Sequence, residues 1–207
     1  MLHTCSRFSN LLRRLPLLVA ALVAAATLGA CQQQAKWQLS NVTHIVEPLK
    51  FSLESTNGGT ETAADLRGKI VLVYFGYTHC PDVCPTTLAE LAGVIRKLGD
   101  KARDVRVLFI TVDPARDTLP VLKTYVAAFD KDHFIGLRGT SAQTTALAKR
   151  YRVGYGYEKP EANGDYIVNH SSAVFIFGPD GNARLLGTGA NTPAEYEADL
   201  KRLINAG

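Results

Sequence analysis

Ile70-Val71-Leu72-Val73-Tyr74-Phe75 is an unbroken apolar run, and Gly76-Tyr77-Thr78-His79-Cys80-Pro81-Asp82-Val83-Cys84-Pro85 follows it directly. A short run this rich in β-branched and aromatic residues predicts a strand buried on both faces. Beyond the loop, Leu88, Leu91, Val94, Ile95 and Leu98 recur at helical spacing, which predicts a helix over residues 86–98. Pro85 suits the start of that helix, where the first N–H groups have no partner within the helix. Strand, cysteine-bearing loop and helix thus form one unit, with both thiols at the helix N-terminus.

The alternation continues downstream. Residues 105–112 read as a second strand, 119–129 as a helix, 134–137 as a short strand and 141–151 as a helix with Ser141 as N-cap. Residues 173–177 and 183–186 read as strands joined by the turn Gly178-Pro179-Asp180-Gly181. Thr192-Pro193-Ala194-Glu195 has the form of a capping box and opens a last helix over 194–205. Residues 37–51 carry no clear period, 55–62 read as a turn and 158–165 as a polar loop. The order predicts an α/β fold: a central mixed sheet with helices on both faces and the last hairpin as an antiparallel edge. A strand followed by a cysteine loop and a helix is the thioredoxin-like arrangement.

Upstream the composition changes. Residues 1–14 hold Arg7, Arg13 and Arg14, and 15–30 hold no charge. The apolar part, 17–26, falls short of the about 20 residues that span a bilayer. A basic start, a short apolar run and small residues predict a secretory signal. Its end, Leu28-Gly29-Ala30-Cys31, resembles a bacterial lipoprotein signal, with cleavage before Cys31 and lipid on its sulfur. The expected organisation is a signal peptide at 1–30, a lipid-anchored tether at 31–44 and a folded domain at 45–207. The chain's net charge is +4, and the segment before Cys31 supplies three of those positives. A nearly neutral body without a basic run gives no support to nucleic-acid binding.

Of the four cysteines, Cys5 leaves with the signal and Cys31 is taken by lipid. Cys80 and Cys84 remain, in an oxidising compartment. Near a helix N-terminus both thiol pKa values are expected to fall. Two such thiolates can form a disulfide or hold a soft metal. Structural zinc would want four ligands, and the body has no third cysteine. Two thiolates and one imidazole suit copper, as Cu(I) or Cu(II). His79 is expected to point away from its neighbour Cys80, and His44 and His133 to lie on the surface. His170 precedes the strand at 173–177, a junction that lies across from the cysteine loop in a thioredoxin-like fold. It must be neutral to bind, which predicts loss of metal as pH falls through about 6.5. Asp113 reads either as a turn residue held by a salt link or as a group supporting the copper loop. Asp82 reads as an exposed loop residue that could meet a partner's positive patch.

Tyr74 to Pro85 resembles the copper-binding loop of the Sco/SenC family. Thr111-Val112-Asp113-Pro114-Ala115-Arg116-Asp117-Thr118 is similar to its second block. Val168-Asn169-His170-Ser171, with Phe177-Gly178-Pro179-Asp180-Gly181, is similar to its third. The resemblance covers roughly residues 45–205. It implies a membrane-tethered, thioredoxin-like copper chaperone for cytochrome c oxidase, not an enzyme, with Cys80, Cys84 and His170 as ligands. Asn169 departs from the Asp of many members. The implied partners are the copper-bearing oxidase subunit and envelope copper carriers or thiol reductases. The implied location is the periplasmic face of a membrane, the inner one by preference. The rival reading is a periplasmic thiol-disulfide oxidoreductase. Such enzymes carry a cis-proline before the strand matching 173–177, where this chain has Asn169-His170-Ser171-Ser172. A copper or redox sensor with the same site is a third reading.

Overall fold

The apolar run at 70–75 forms a central strand of the sheet. The structure, a computed structural model, describes residues 36–206. The expected signal peptide and the lipidation site Cys31 lie outside the described residues. Among those described, the strands are β1 (Ser40–Asn41), β2 (Ser52–Ser55), β3 (Thr60–Thr62), β4 (Ile70–Gly76), β5 (Val105–Thr111), β6 (Phe134–Arg138), β7 (Tyr155–Tyr157), β8 (Val168–His170), β9 (Val174–Phe177) and β10 (Ala183–Gly187). The helices are α1 (Val83–Leu98), α2 (Leu119–Ala127), α3 (Ser141–Arg150) and α4 (Pro193–Ala206).

Eight strands form one mixed sheet in the order β1-β10-β9-β4-β5-β6-β2-β3, and β7 pairs with β8 apart from it. β4, β5 and β6 run parallel, while β9 lies antiparallel against β4. Every residue of β4 is buried, as a strand covered on both faces requires. Neighbouring residues of a strand point to opposite faces. Tyr74 reaches Cys84 of α1, whereas Phe75 packs on Tyr151 at the end of α3, their ring centroids 6.4 Å apart. Helices therefore cover both faces. α1 buries Cys84, Leu88, Leu91, Ala92, Val94, Ile95 and Leu98 against the sheet. A fully buried side chain of this kind stabilises by about 1.5–3 kcal/mol.

Several expectations change. The last hairpin is not the sheet edge, because β1 pairs outside β10 through Ser40 and Leu186. The turn at 55–62 is the tip of a hairpin, β2–β3. The N-cap of α3 is Thr140, one residue before Ser141, with a capping box to Gln143. The capping box of α4 forms as read, with the Thr192 N–H donating to Glu195 at 2.6 Å. Residues 37–39, read as part of a tether, pack on the folded body. The Gln38 and Leu39 N–H groups donate to the buried Asp199 carboxylate at 2.9 and 2.8 Å, and Arg202 lies over the Trp37 ring at 3.9 Å.

Candidate metal centre

The site forms where β4 ends, α1 begins and β8 hands over to β9. α1 starts at Val83, so Cys84 sits in its first turn and Cys80 in the loop before it. Asp82 is the N-cap residue, but its side chain makes no capping bond. The register Tyr74↔Val174 brings the start of β9 to the end of β4, and His170 with it. The Cys80 Sγ, the Cys84 Sγ and an imidazole nitrogen of His170 all lie within 4.8 Å of one another.

The Cys84 Sγ is 3.2 Å from His170 Nε2, and the Cys84 N–H donates to the Cys80 Sγ at 3.4 Å. On the other side of the ring, His170 Nδ1 is 3.0 Å from the Ser171 carbonyl. That acceptor assigns the proton to Nδ1 and leaves the Nε2 lone pair facing the sulfurs, as a metal-binding imidazole requires. Metal–sulfur and metal–nitrogen bonds of about 2.0–2.3 Å put the donors of a trigonal site about 4 Å apart. The three donors fit one soft ion with little movement. Both cysteines are free thiols here, Cys80 half-buried and Cys84 buried.

Burial pushes the Cys84 thiol up to about 12, against hydrogen bonds from the Tyr77 backbone and the Tyr74 hydroxyl. The fall expected from the helix dipole is overturned for Cys84. Its side chain is fully buried, and loss of water outweighs the dipole. Burial also holds the His170 imidazole below its ordinary 6.5, opposed by the Ser171 and Phe75 carbonyls. His170 is boxed in by two tyrosines. The Tyr77 ring meets it edge-on at 5.8 Å and the Tyr74 ring at 6.0 Å.

Behind the two cysteines and His170 stand two buried carboxylates. Asp117 accepts from the Thr78 N–H at 3.0 Å, the Thr78 hydroxyl at 2.5 Å and the Thr111 hydroxyl at 2.6 Å. It thereby ties the cysteine loop to the end of β5. Asp113 forms an ion pair with Arg116 and accepts from the Tyr166 hydroxyl at 2.8 Å. Arg116 lies over the Tyr166 ring at 3.6 Å and the Tyr77 ring at 5.7 Å. The salt link at Asp113 is therefore present. The Asp113 side chain faces the site through Tyr166, Arg116 and Tyr77, while its N–H donates to the Thr111 hydroxyl at 2.9 Å. Tyr157, also on the β7–β8 hairpin, donates to the Val112 carbonyl at 2.6 Å.

The structure brings Cys80, Cys84 and His170 together and leaves Asp82 exposed, 3.5 Å from the Thr86 hydroxyl. Asn169 donates to Glu158 at 2.8 Å across the hairpin. His79 is half exposed and 3.7 Å from Asp117, and His44 is exposed. His133 differs from expectation: it is half-buried and 3.0 Å from Asp130. Sequence reasoning missed Tyr74, Tyr77 and Tyr166. The signal available was the alternation of β4, which aims Tyr74 at the helix that carries Cys84.

The sequence profile of the SCO1/SenC family matches residues 41–205. The chain belongs to the SCO1/SenC family. A relative described as a mitochondrial SCO2 homolog, from Bos taurus, is 39% identical over 179 residues, 81% of this chain and 67% of that protein. Bradyrhizobium japonicum ScoI, solved with copper bound, has a TM-score of 0.69 at 40% identity, over 75% of this chain and 98% of that one. BsSco, described as a Sco-family cytochrome c oxidase assembly protein with a disulfide switch, has a TM-score of 0.59 at 25% identity, over 79% of this chain and 99% of that one. The SCO1/SenC fold is the thioredoxin-like α/β arrangement read from the sequence. No helix among the described residues is long and apolar enough to cross a membrane.

Proposed function

We propose that this SCO1/SenC protein is a copper chaperone that binds one copper ion through Cys80, Cys84 and His170 and delivers it to the copper-bearing subunit of cytochrome c oxidase. The observation that carries the reading is the Nε2 of His170, which faces the Cys84 sulfur at 3.2 Å with the Nδ1 side taken by the Ser171 carbonyl. Two soft sulfurs and a neutral imidazole match copper in either oxidation state. The copper-bound Bradyrhizobium relative supports the cargo, and the assembly role described for BsSco supports the recipient. Val83, next to Cys84 in the chain, and Ile167, three residues before His170, are each 45% exposed, apolar side chains of the kind on which a partner could seat. Copper would leave by ligand exchange with the partner's thiols, so the role is transfer and not catalysis. Oxidation of Cys80 and Cys84 to a disulfide would remove both sulfur ligands and release the ion.

The leader completes the proposal. Cleavage before Cys31 and lipid on its sulfur would hold the domain at the periplasmic face of the membrane, the inner one by preference. Cys31→Ser should then leave the protein unanchored or unprocessed, read by membrane fractionation and lipid labelling. Unchanged lipid labelling would sink this part of the reading.

The central test is copper titration of the purified protein. One ion per chain is expected, and Cys80→Ser, Cys84→Ser and His170→Ala should each weaken binding sharply. A thiol-disulfide reductase acting on envelope proteins is the second reading, favoured by the half-buried Cys80 thiol beside Cys84. It has no use for an imidazole ligand. In cells at limiting copper, His170→Ala should lose the oxidase as fully as the double cysteine variant. Normal oxidase assembly with His170→Ala would replace the chaperone with the reductase.

A further inference from the structure

Tyr74 stands on β4 with no solvent exposure, and its hydroxyl donates to the Cys84 Sγ at 3.6 Å. Its ring meets His170 edge-on, at 67° and 6.0 Å, so one side chain touches two of the three ligands. This contact is not a general habit of the core. Tyr125 packs on Phe109 at 5.4 Å, and Phe109 packs on Tyr74 at 6.1 Å, yet the buried Tyr125 hydroxyl has no hydrogen-bond partner. Of these two neighbouring phenols, only that of Tyr74 is aimed at a sulfur.

We propose that Tyr74 is a positioning residue whose hydroxyl biases the copper centre toward Cu(I) through its bond to the Cys84 sulfur. The inference rests on the copper reading above. Two thiolates and Cu(I) carry a net charge of −1, whereas the same ligands with Cu(II) are neutral. The Cys84 side of the site is buried, and burying an uncompensated charge is costly. A donor aimed at the sulfur therefore stabilises the anionic Cu(I) complex more than the neutral Cu(II) complex. The donated bond also draws electron density from the sulfur, which weakens its donation to the more electron-demanding Cu(II). Both effects have the same sign, and hydrogen bonding at a cysteine sulfur is an established lever on copper potentials.

Tyr74→Phe keeps the ring against His170 and removes only the hydroxyl. Tyr125→Phe is the matched control, since it removes a neighbouring buried hydroxyl that makes no hydrogen bond to a sulfur. With the purified full chain, Cu(I) and Cu(II) affinities are measured by chelator competition, alongside the sulfur-to-Cu(II) charge-transfer band and the thermal unfolding midpoint. In Tyr74→Phe, Cu(I) affinity should fall about three- to tenfold. Cu(II) affinity should change less, and the band should move to lower energy. Tyr125→Phe should match the unsubstituted protein in all three copper readouts. Equal weakening of both oxidation states, or no change in their ratio, would reduce Tyr74 to a packing residue and overturn the proposal. An unsubstituted protein that takes up no copper would overturn the copper reading, and this proposal with it.

Discussion

The Gly76 α-carbon and the Cys84 sulfur share a space with no room for a methyl group. A Cβ at residue 76 would lie 2.8 Å from the Cys84 Sγ and 2.6 Å from the Phe109 ring. The last residue of β4 is thus glycine because the Phe109 ring and the Cys84 sulfur pack directly on its backbone. Gly76→Ala should displace the sulfur, lower copper affinity at least about tenfold and cost about 1–3 kcal/mol in stability. Copper titration and denaturant unfolding check both. Unchanged copper binding would show that the sulfur has somewhere else to go.

Copper loading should depend on pH through Cys84 above neutrality and through His170 below it. With the thiol at about 12, copper must displace its proton at pH 7. Apparent affinity should therefore rise with pH, by about tenfold per unit for each thiol proton released. Burial holds His170 below 6.5, so it is neutral at pH 7 and competes with the metal only further down. The loss expected from the sequence near 6.5 moves to lower pH. In the metal-free protein the unfolded chain takes up this proton first, so His170 lowers fold stability as pH falls below 6.5 toward its folded pKa. Copper affinity measured across pH 5–9 should bend at the acid end, and His170→Ala should remove that bend.

Asp113 should matter for the hairpin that carries His170 more than for the ligands themselves. Asp113→Asn leaves Arg116, whose side chain is only 18% exposed, without its ion-pair partner. The expected cost is about 3 kcal/mol, at the low end for a buried pair because the guanidinium still meets water. It also removes the charge from the acceptor of the Tyr166 hydroxyl. Hydrogen exchange should speed up across residues 155–170 while α1 stays protected. Uniform loss of protection would mean that the pair serves the whole fold and not the hairpin.

Asp117 should set the order of the cysteine loop. Asp117→Ala strips the acceptor from the Thr78 N–H, the Thr78 hydroxyl and the Thr111 hydroxyl. Leaving these donors unmet should cost about 3 kcal/mol. Copper should bind more weakly and leave faster, as read by stopped-flow transfer to a chelator. A transfer rate equal to that of the unsubstituted protein would separate the loop's order from its function.

Legibility followed the range of the signal. β4, β5, α1 and α4 announce themselves through runs, periods and caps that a short window contains. β7 and β8 do not, since Tyr155–Tyr157 and Val168–His170 are three residues each and exist only because they pair. β1 and β2 were lost for the same reason: two and four residues have no period to read. His170 was legible as a partner of the two cysteines through its motif, and the structure places it beside them. Its tautomer, set by the Ser171 carbonyl, was not.

By itself the sequence determined the strand-loop-helix unit, the alternation that makes an α/β sheet, and two thiols four residues apart. These follow from residue type and spacing along the chain, whereas His170 joined the two cysteines only through the resemblance of its motif to the SCO1/SenC family. Only the tertiary structure decided that Cys84 would be a buried thiol and not a dipole-lowered thiolate. Desolvation depends on what Phe109, Tyr74 and the backbone of Gly76 place around the sulfur. It also decided that Asp117 would hold the loop and that Tyr74 would meet Cys84 and His170 together. Such contacts join residues 10 to 96 positions apart in the chain, and only the register of β4 against β5 and β9 brings them within reach.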